Sequence, residues 1–284
     1  MTLVLRNIPA ARQWVREARN SGQSLGLVPT MGALHEGHRS LFRRARAACG
    51  RVAISIFVNP AQFGPGEDFE RYPRTFEGDL AMAEQEGVDA VFHPEPGEMY
   101  PDPLLVTVHP GKLGKSLCGP FRPGHFRGVA TVVAKLFHIL EPDRAFFGQK
   151  DAQQAVMIQR MVRDLNFPVA IEICPTVREP DGLAMSSRNR FLSPAERARA
   201  TALYRSLCRA ESLLRSGVKD AARLEQAMQT MIRAVEGAEL DYASVVDART
   251  LEPVSIIDRE VLAAVAVRFG KTRLIDNLFL APEK

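Results

Sequence analysis

The chain has 284 residues, 46% hydrophobic and 25% charged, the balance of a globular protein large enough for about two domains. Its 20 glycines and 19 prolines fall far short of a low-complexity or collagen-like composition, which excludes a fibrous or wholly disordered chain. The formal charge of +4 divides into +1 over residues 1–184 and +3 over 185–284, too even a spread for the clustered basic face of a nucleic-acid binder. No run reaches the roughly 18 apolar residues of a membrane helix. Arg6, Arg12, Arg16, Glu17 and Arg19 occupy the place where a secretory leader would be apolar. Cys49, Cys118, Cys174 and Cys208 show no metal-ligand spacing and read as reduced, mostly buried thiols. A cytoplasmic protein with no membrane and no nucleic-acid partner is expected.

Short apolar runs at 25–29, 52–58, 90–92, 145–147 and 169–174 read as strands. Helical stretches at 38–48, 76–86, 129–140 and 151–164 alternate with them. Such alternation predicts a parallel sheet covered on both faces, because parallel strands need crossover connections. A Rossmann-like, doubly wound α/β domain over residues 1–176 is therefore expected. After Cys174, Pro175, Pro180 and Asp181-Gly182 mark a loop, and Ser193-Pro194-Ala195-Glu196 is a capping box with proline in the first turn. One helix is predicted from there to about residue 216, stopped by Gly217, and a second over 220–235. Strands at 241–246, 261–267 and 272–280 follow, the last two joined at Gly270-Lys271. Residues 177–284 thus form a smaller α+β domain, predicted to act as a lid because a hinge-like connection precedes it.

Three segments carry chemistry. Val28-Pro29-Thr30-Met31-Gly32-Ala33-Leu34-His35-Glu36-Gly37-His38 lies where a strand opens into a helix, the place where doubly wound sheets bind ligands. Gly32 and Gly37 admit a nucleotide close to the backbone, and two imidazoles three residues apart can both face a phosphate. The same pair has zinc-ligand spacing but lacks a third ligand or an HExxH pattern, and histidines that merely pack a helix start are the structural alternative. Gly148-Gln149-Lys150-Asp151 again runs from a strand into a helix, with Lys150 a point charge for phosphates and Gln154 one turn further on. A solvated Lys–Asp surface pair is the alternative there. Met185-Ser186-Ser187-Arg188 offers hydroxyls and a guanidinium at the domain boundary, a weak signal alone.

Together the histidine turn and the MSSR loop resemble the nucleotidylyl-transferase superfamily, with the HIGH-type motif and KMSKS-like loop also found in class I aminoacyl-tRNA synthetases. Within it, VPTMGALHEGH, IFVNPAQFGPGEDFERYPRT, FFGQKDAQQ and PTVREPDGLAMSSRNRFLS resemble the pantoate–β-alanine ligases in order and spacing. The resemblance implies an ATP- and magnesium-dependent synthesis of pantothenate from pantoate and β-alanine through a pantoyl adenylate, by a homodimer. It implies that Met31, Gly32, Ala33, Leu34, His35, Glu36, Gly37 and His38 hold ATP, with the two histidines on its phosphates. Gly148, Gln149, Lys150 and Asp151, with Met185, Ser186, Ser187 and Arg188, would clasp the nucleotide, and the Val177 backbone would meet adenine. Gln62 and Gln154 would bind pantoate, with Gln62 also near the incoming amine, and Asn59 is a further substrate-binding residue. No metal ligand is assigned. Arg39, directly after HEGH, departs from the apolar or small residue expected there and is taken to tune helix packing or solubility and to leave the chemistry alone.

The residue types suit the chemistry. Attack of a carboxylate on a phosphate joins two anions, so His38 as acid, with His35, Lys150, Ser187, Arg188 and Mg²⁺, would offset the repulsion and the charge growing on pyrophosphate. Two other classes share parts of this pattern. A nucleotidyltransferase would release pyrophosphate without AMP, and an RNA-binding relative would need a basic face.

Overall fold

In a computed structural model that describes residues 1–282, the predicted alternation resolves into a six-stranded parallel sheet flanked by helices. The elements run β1 (Leu3–Leu5), α1 (Ile8–Asn20), β2 (Leu25–Thr30), α2 (Glu36–Ala48), β3 (Arg51–Ile56), α3 (Phe76–Gln85) and β4 (Ala90–Phe92). They continue with α4 (Pro96–Met99), α5 (His125–Leu140), β5 (Arg144–Gly148), α6 (Ala152–Asp164) and β6 (Ala170–Cys174). Spatial order is β1-β4-β3-β2-β5-β6, every pair parallel. Successive side chains on a strand point to opposite faces. Val28, Val52, Ile54, Val91 and Phe146 accordingly meet Leu41, Phe42 and Ala45 of α2 and Ala83 of α3. Their neighbours Leu25, Leu27, Ala53, Phe92 and Phe147 are also buried, so both faces are covered. Withdrawing each larger side chain of this set from water contributes about 1.5–3 kcal/mol.

β1 and α1 add to the predicted elements. α1 buries Ala11, Trp14, Val15 and Ala18 at helical spacing, a pattern partly hidden among arginines, and Asn7 caps it by accepting from the Ala10 N–H. α5 begins at His125, a turn before the predicted 129, behind a left-handed Gly124.

The chain divides into two units by contact, the first formed by Met1–Gly114, Arg122–Gly148 and Met157–Pro175. The second holds Lys115–Phe121, Gln149–Val156 and everything described from Thr176 on. The sequence boundary at 176/177 leaves 115–121 and 149–156 with the first domain, and the last two residues of the expected 177–284 domain lie outside the described residues. In the second unit come α7 (Pro194–Arg199), α8 (Ala202–Arg215), α9 (Ala221–Arg233), β7 (Ala238–Asp247), β8 (Val261–Phe269) and β9 (Thr272–Leu280). The strands form one antiparallel sheet ordered β7-β8-β9. Val261, Ala263, Val265, Val267 and Phe269 pack one face of β8 against Leu203, Leu207 and Leu214 of α8 and Leu224, Met228 and Ile232 of α9. The single helix predicted to residue 216 is two helices. The Thr201 hydroxyl donates to the Ala198 carbonyl at 2.8 Å, a back-bond that competes with the helix ladder where α7 gives way to α8. Among the described residues no helix is long and apolar enough to cross a membrane.

Candidate active site

In the first unit the strand order reverses at β2. β3 and β4 follow to one side, β5 and β6 to the other, and ligands in open parallel sheets bind beyond the C-terminal ends of strands at such a switch point. β2 ends at Thr30, and the chain turns there through Gly32 (φ +84°) and Ala33 (φ +52°). Asp79 of α3, 3% exposed, fixes this turn: its carboxylate accepts from the N–H groups of Ala33 (2.9 Å) and Leu34 (2.8 Å) and from the Thr75 hydroxyl (3.2 Å). A Cβ on residue 32 would lie 2.9 Å from Asp79 Oδ2, so glycine is needed for space as well as for φ. The left-handed alanine costs about 1–3 kcal/mol, offset by two charge-assisted bonds.

The histidines close the start of α2. His38 Nδ1 accepts from the His35 N–H at 3.3 Å, and His35 Nδ1 accepts from the Gly37 N–H at 3.2 Å, a capping box built from two imidazoles. The ring centroids are 4.2 Å apart. A ring nitrogen that accepts carries no hydrogen, so each neutral imidazole holds its N–H on Nε2. The cap is the structural role the pair takes here, and it sets the tautomer with the ring hydrogen on Nε2. Arg39 donates to Glu86 Oε1 (3.0 Å) and Gln85 Oε1 (2.7 Å) at the C-terminal end of α3, a tie between helices. Arg43, bonded to both Glu86 oxygens, holds that carboxyl below its usual range.

Gln62 ends the 3-10 turn Pro60–Gln62 and is 7% exposed. Its amide lies against Met31, Nε2 to Sδ at 3.1 Å. Asn59 is 1% exposed and fully engaged: Nδ2 donates to Gln62 Oε1 (3.0 Å) and the Gly128 carbonyl (3.2 Å), while Oδ1 accepts from the Tyr100 hydroxyl (2.7 Å) and the Ala61 N–H (3.3 Å). Burial pushes the Tyr100 hydroxyl up to about 12, keeping it a donor. A Cβ at residue 128 would overlap the Ala61 carbonyl, so Gly128 lets α5 lie directly on this turn. His125 Nδ1 is 2.8 Å from the Gln62 carbonyl, and Arg122 pairs with Glu67 at 2.6 Å. Burial raises the Glu67 carboxyl, but the hydrogen-bonded Arg122 outweighs it and the net shift is downward.

In the second unit Gln149–Asp151 forms one 3-10 turn. The Lys150 side chain is only 21% exposed, and its Nζ stands 3.8 Å from the Asp151 carboxylate, a loose pair on a largely covered lysine. Asn277 of β9 donates to the carbonyls of Gln149 (3.0 Å) and Lys150 (2.9 Å). Gln154 is half-buried on α6, whereas its neighbour Gln153 is buried and engaged with Ser116 and Cys118. The segment from Val177 to Met185 is a tight hairpin. Met185 N–H donates to the Val177 carbonyl at 3.0 Å, and Arg178 bridges to Ala184. Ser186 caps the next 3-10 turn by accepting from the Arg188 N–H at 3.2 Å, so Ser187 and Arg188 open that turn.

Within the first unit the structure brings together His35 with His38 and Gln62 with Met31 and Asn59. Within the second it brings Val177 to Met185 and holds Gln149 and Lys150 on β9. Sequence reasoning missed Asp79, Tyr100, Gly128, Arg178 and Asn277, whose partners lie far along the chain. Only Gly128 gave a signal, a glycine inside an apolar helix. Among the described residues no three His, Cys, Asp or Glu converge as a metal site. That donor set does not fit a protein cage for magnesium; a hard cation that keeps its waters and binds phosphate oxygens would not require one.

The chain matches the family model described as Pantoate-beta-alanine ligase over residues 3–279. It is 55% identical over 277 residues to the pantothenate synthetase of Thermotoga neapolitana, covering 98% of this chain and 99% of that protein. It is 52% identical over 278 residues to that of Syntrophomonas wolfei subsp. wolfei, at 98% and 99% coverage. A crystal structure of the pantothenate synthetase from Thermus thermophilus superposes with a TM-score of 0.94 at 45% identity, over 99% of this chain and 100% of that one. The pantoate-beta-alanine ligase from Francisella tularensis, in complex with beta-gamma ATP and beta-alanine, gives 0.80 at 33% identity over 98% of each chain. With the parallel sheet, the histidine turn and the full-length matches in agreement, this chain is a ligase enzyme and belongs to the pantoate–β-alanine ligase family.

Proposed function

We propose that this chain joins pantoate to β-alanine at the expense of ATP, through a pantoyl adenylate, with release of AMP and pyrophosphate. The observation that carries the reading is the imidazole capping box at the end of β2, which gathers two histidines, each with its ring hydrogen on Nε2, where a parallel sheet binds ligands. In the first step a pantoate carboxylate oxygen bonds to the α-phosphorus of ATP as the bond to pyrophosphate breaks. His35 and His38 donate Nε2–H hydrogen bonds to phosphate oxygens, His38 to the departing pyrophosphate. That group leaves as an anion, while the capped imidazole keeps its proton and acts as a hydrogen-bond donor rather than as the proton-transferring acid. Lys150, Ser187 and Arg188 offset the growing negative charge. In the second step the amine of β-alanine attacks the acyl carbon and AMP leaves, so positioning dominates.

Gln62 and Gln154 receive the polar groups of pantoate, since a carboxamide both donates and accepts. Asn59 acts through Gln62, because its own hydrogen-bonding capacity is spent on the protein. The remaining nucleotide contacts are proposed for Met31, Gly32, Glu36, Gly37, Gly148, Gln149, Asp151, Met185 and Ser186, and for the backbone of Val177. Ala33 and Leu34 line the turn with their N–H groups committed to Asp79. Magnesium, carried on the phosphates, would add charge neutralisation. A homodimeric, cytoplasmic enzyme is part of the same reading, resting on family likeness and on four free cysteines.

The test is ATP–pyrophosphate exchange over a panel of small hydroxy acids. Pantoate alone should support exchange, with β-alanine needed only for amide formation. Exchange that strictly requires β-alanine would refute the adenylate.

A further inference from the structure

Adjacent residues on a strand face opposite ways, and on β9 both directions lead to segments assigned above to ATP. Asp276 pairs in register with Val265, on the face of the sheet that packs against α8. It is 2% exposed and takes a two-pronged ion pair from Arg178, Nη1 at 2.6 Å and Nη2 at 3.0 Å. Arg178 lies 3.8 Å over the Tyr204 ring and donates to the Gly182 carbonyl at 3.1 Å, so it braces the hairpin that runs from Val177 to Met185. Asn277 pairs with Ala264, faces the other way and is 3% exposed. Its Nδ2 donates to the carbonyls of both Gln149 and Lys150, and its backbone N–H donates to Asp276 Oδ1 at 2.8 Å. Burial raises the Asp276 carboxyl against the pull of Arg178, so the pair is held by geometry in a dry place rather than by solvent.

We infer that Asp276 and Asn277 are positioning residues: one dipeptide of β9 sets the Lys150 turn with one side chain and the hairpin leading to Ser187 and Arg188 with the other. Carbonyl groups held by a single carboxamide fix the backbone from which Lys150 projects. Small displacements of a charge that acts on a transition state are costly, so this anchor serves the phosphate chemistry more than substrate capture. Two β-strand neighbours with opposite outlooks are a direct way to keep the two segments in register with each other. The inference rests on the assignment of Lys150 to ATP.

The experiment compares Asn277→Asp, Lys150→Ala and the double variant in ATP–pyrophosphate exchange, with melting temperatures and Michaelis constants. Asn277→Asp keeps the shape but turns donors into acceptors against two carbonyls. Its kcat for exchange should fall roughly tenfold or more with the KM for pantoate little changed, and the double variant should be no slower than Lys150→Ala alone. Asn277→Ser, which keeps one donor, should recover part of the loss and serves in its place should Asn277→Asp fail to fold. Multiplicative losses in the double variant, or unchanged exchange in both Asn277 variants, would overturn the anchor while leaving Lys150 in place. Unchanged exchange in Lys150→Ala would instead overturn the assignment on which the inference stands.

Discussion

Both imidazoles of the histidine turn spend Nδ1 on the backbone, and this gives each residue a stability role that can be separated from its chemistry. His38→Ala removes an acceptor at the start of α2, a loss of about 0.5–2 kcal/mol by analogy with other caps, readable as a small drop in melting temperature. Tyr100 offers a cleaner separation, since its hydroxyl is bonded to Asn59, which in turn holds Gln62, the residue proposed to bind pantoate. Tyr100→Phe leaves Asn59 Oδ1 short of one buried donor, so about 1–3 kcal/mol of stability is lost. Gln62 should lose its fixed pose with it. The KM for pantoate is expected to rise several-fold while the KM for ATP stays put, and steady-state kinetics on the two substrates decides. Equal shifts in both constants would remove Tyr100 from the pantoate side.

At the scale of elements, α3 and α5 matter because each presses one side chain or one bare backbone position onto a loop proposed to bind substrate. Asp79→Ala would leave two buried N–H groups without an acceptor and release a left-handed alanine, so the turn at 31–34 should loosen, with stability lower by roughly 1.5–3 kcal/mol and a higher KM for ATP. Gly128→Ala would drive a methyl group into the Ala61 carbonyl and displace the Asn59–Gln62 turn. Another loop sets an acid limit. Burial works against the Asp247 carboxylate, but bonds from Arg259 and from the N–H groups of Arg249 and Thr250 prevail and lower it to about 2. A carboxyl depressed in the folded state stabilises above its unfolded value of about 4 and loses that contribution as pH falls toward 2. Wild type should therefore lose about 1–2 kcal/mol more than Asp247→Asn between pH 5 and 2, after discounting for solvent near the site, as urea midpoints would measure. Every strand but β1, and most helices, were legible because apolar periodicity writes them locally, as at 90–92 and 272–280. Asp79 and Asn277 were not, because a buried polar residue gains its meaning from partners 45 or more positions away.

For the whole molecule, the family and the parallel sheet follow from agreement between motif order and topology, and the reaction course is what remains to be measured. ATP with pantoate should protect the 176–190 segment from proteases, as expected if Met185, Ser187 and Arg188 close on the nucleotide; identical cleavage with and without ligands would contradict that closure. The central claim is that the histidine turn acts on phosphates during adenylate formation. It is tested most directly in His38→Ala by measuring pantothenate release from ATP, pantoate and β-alanine beside release from synthetic pantoyl adenylate and β-alanine. The first rate should fall roughly a hundredfold, about 3 kcal/mol of transition-state stabilisation, and the second should change only a few-fold because pyrophosphate has already departed. Equal loss in both reactions, or normal rates in both, would contradict it.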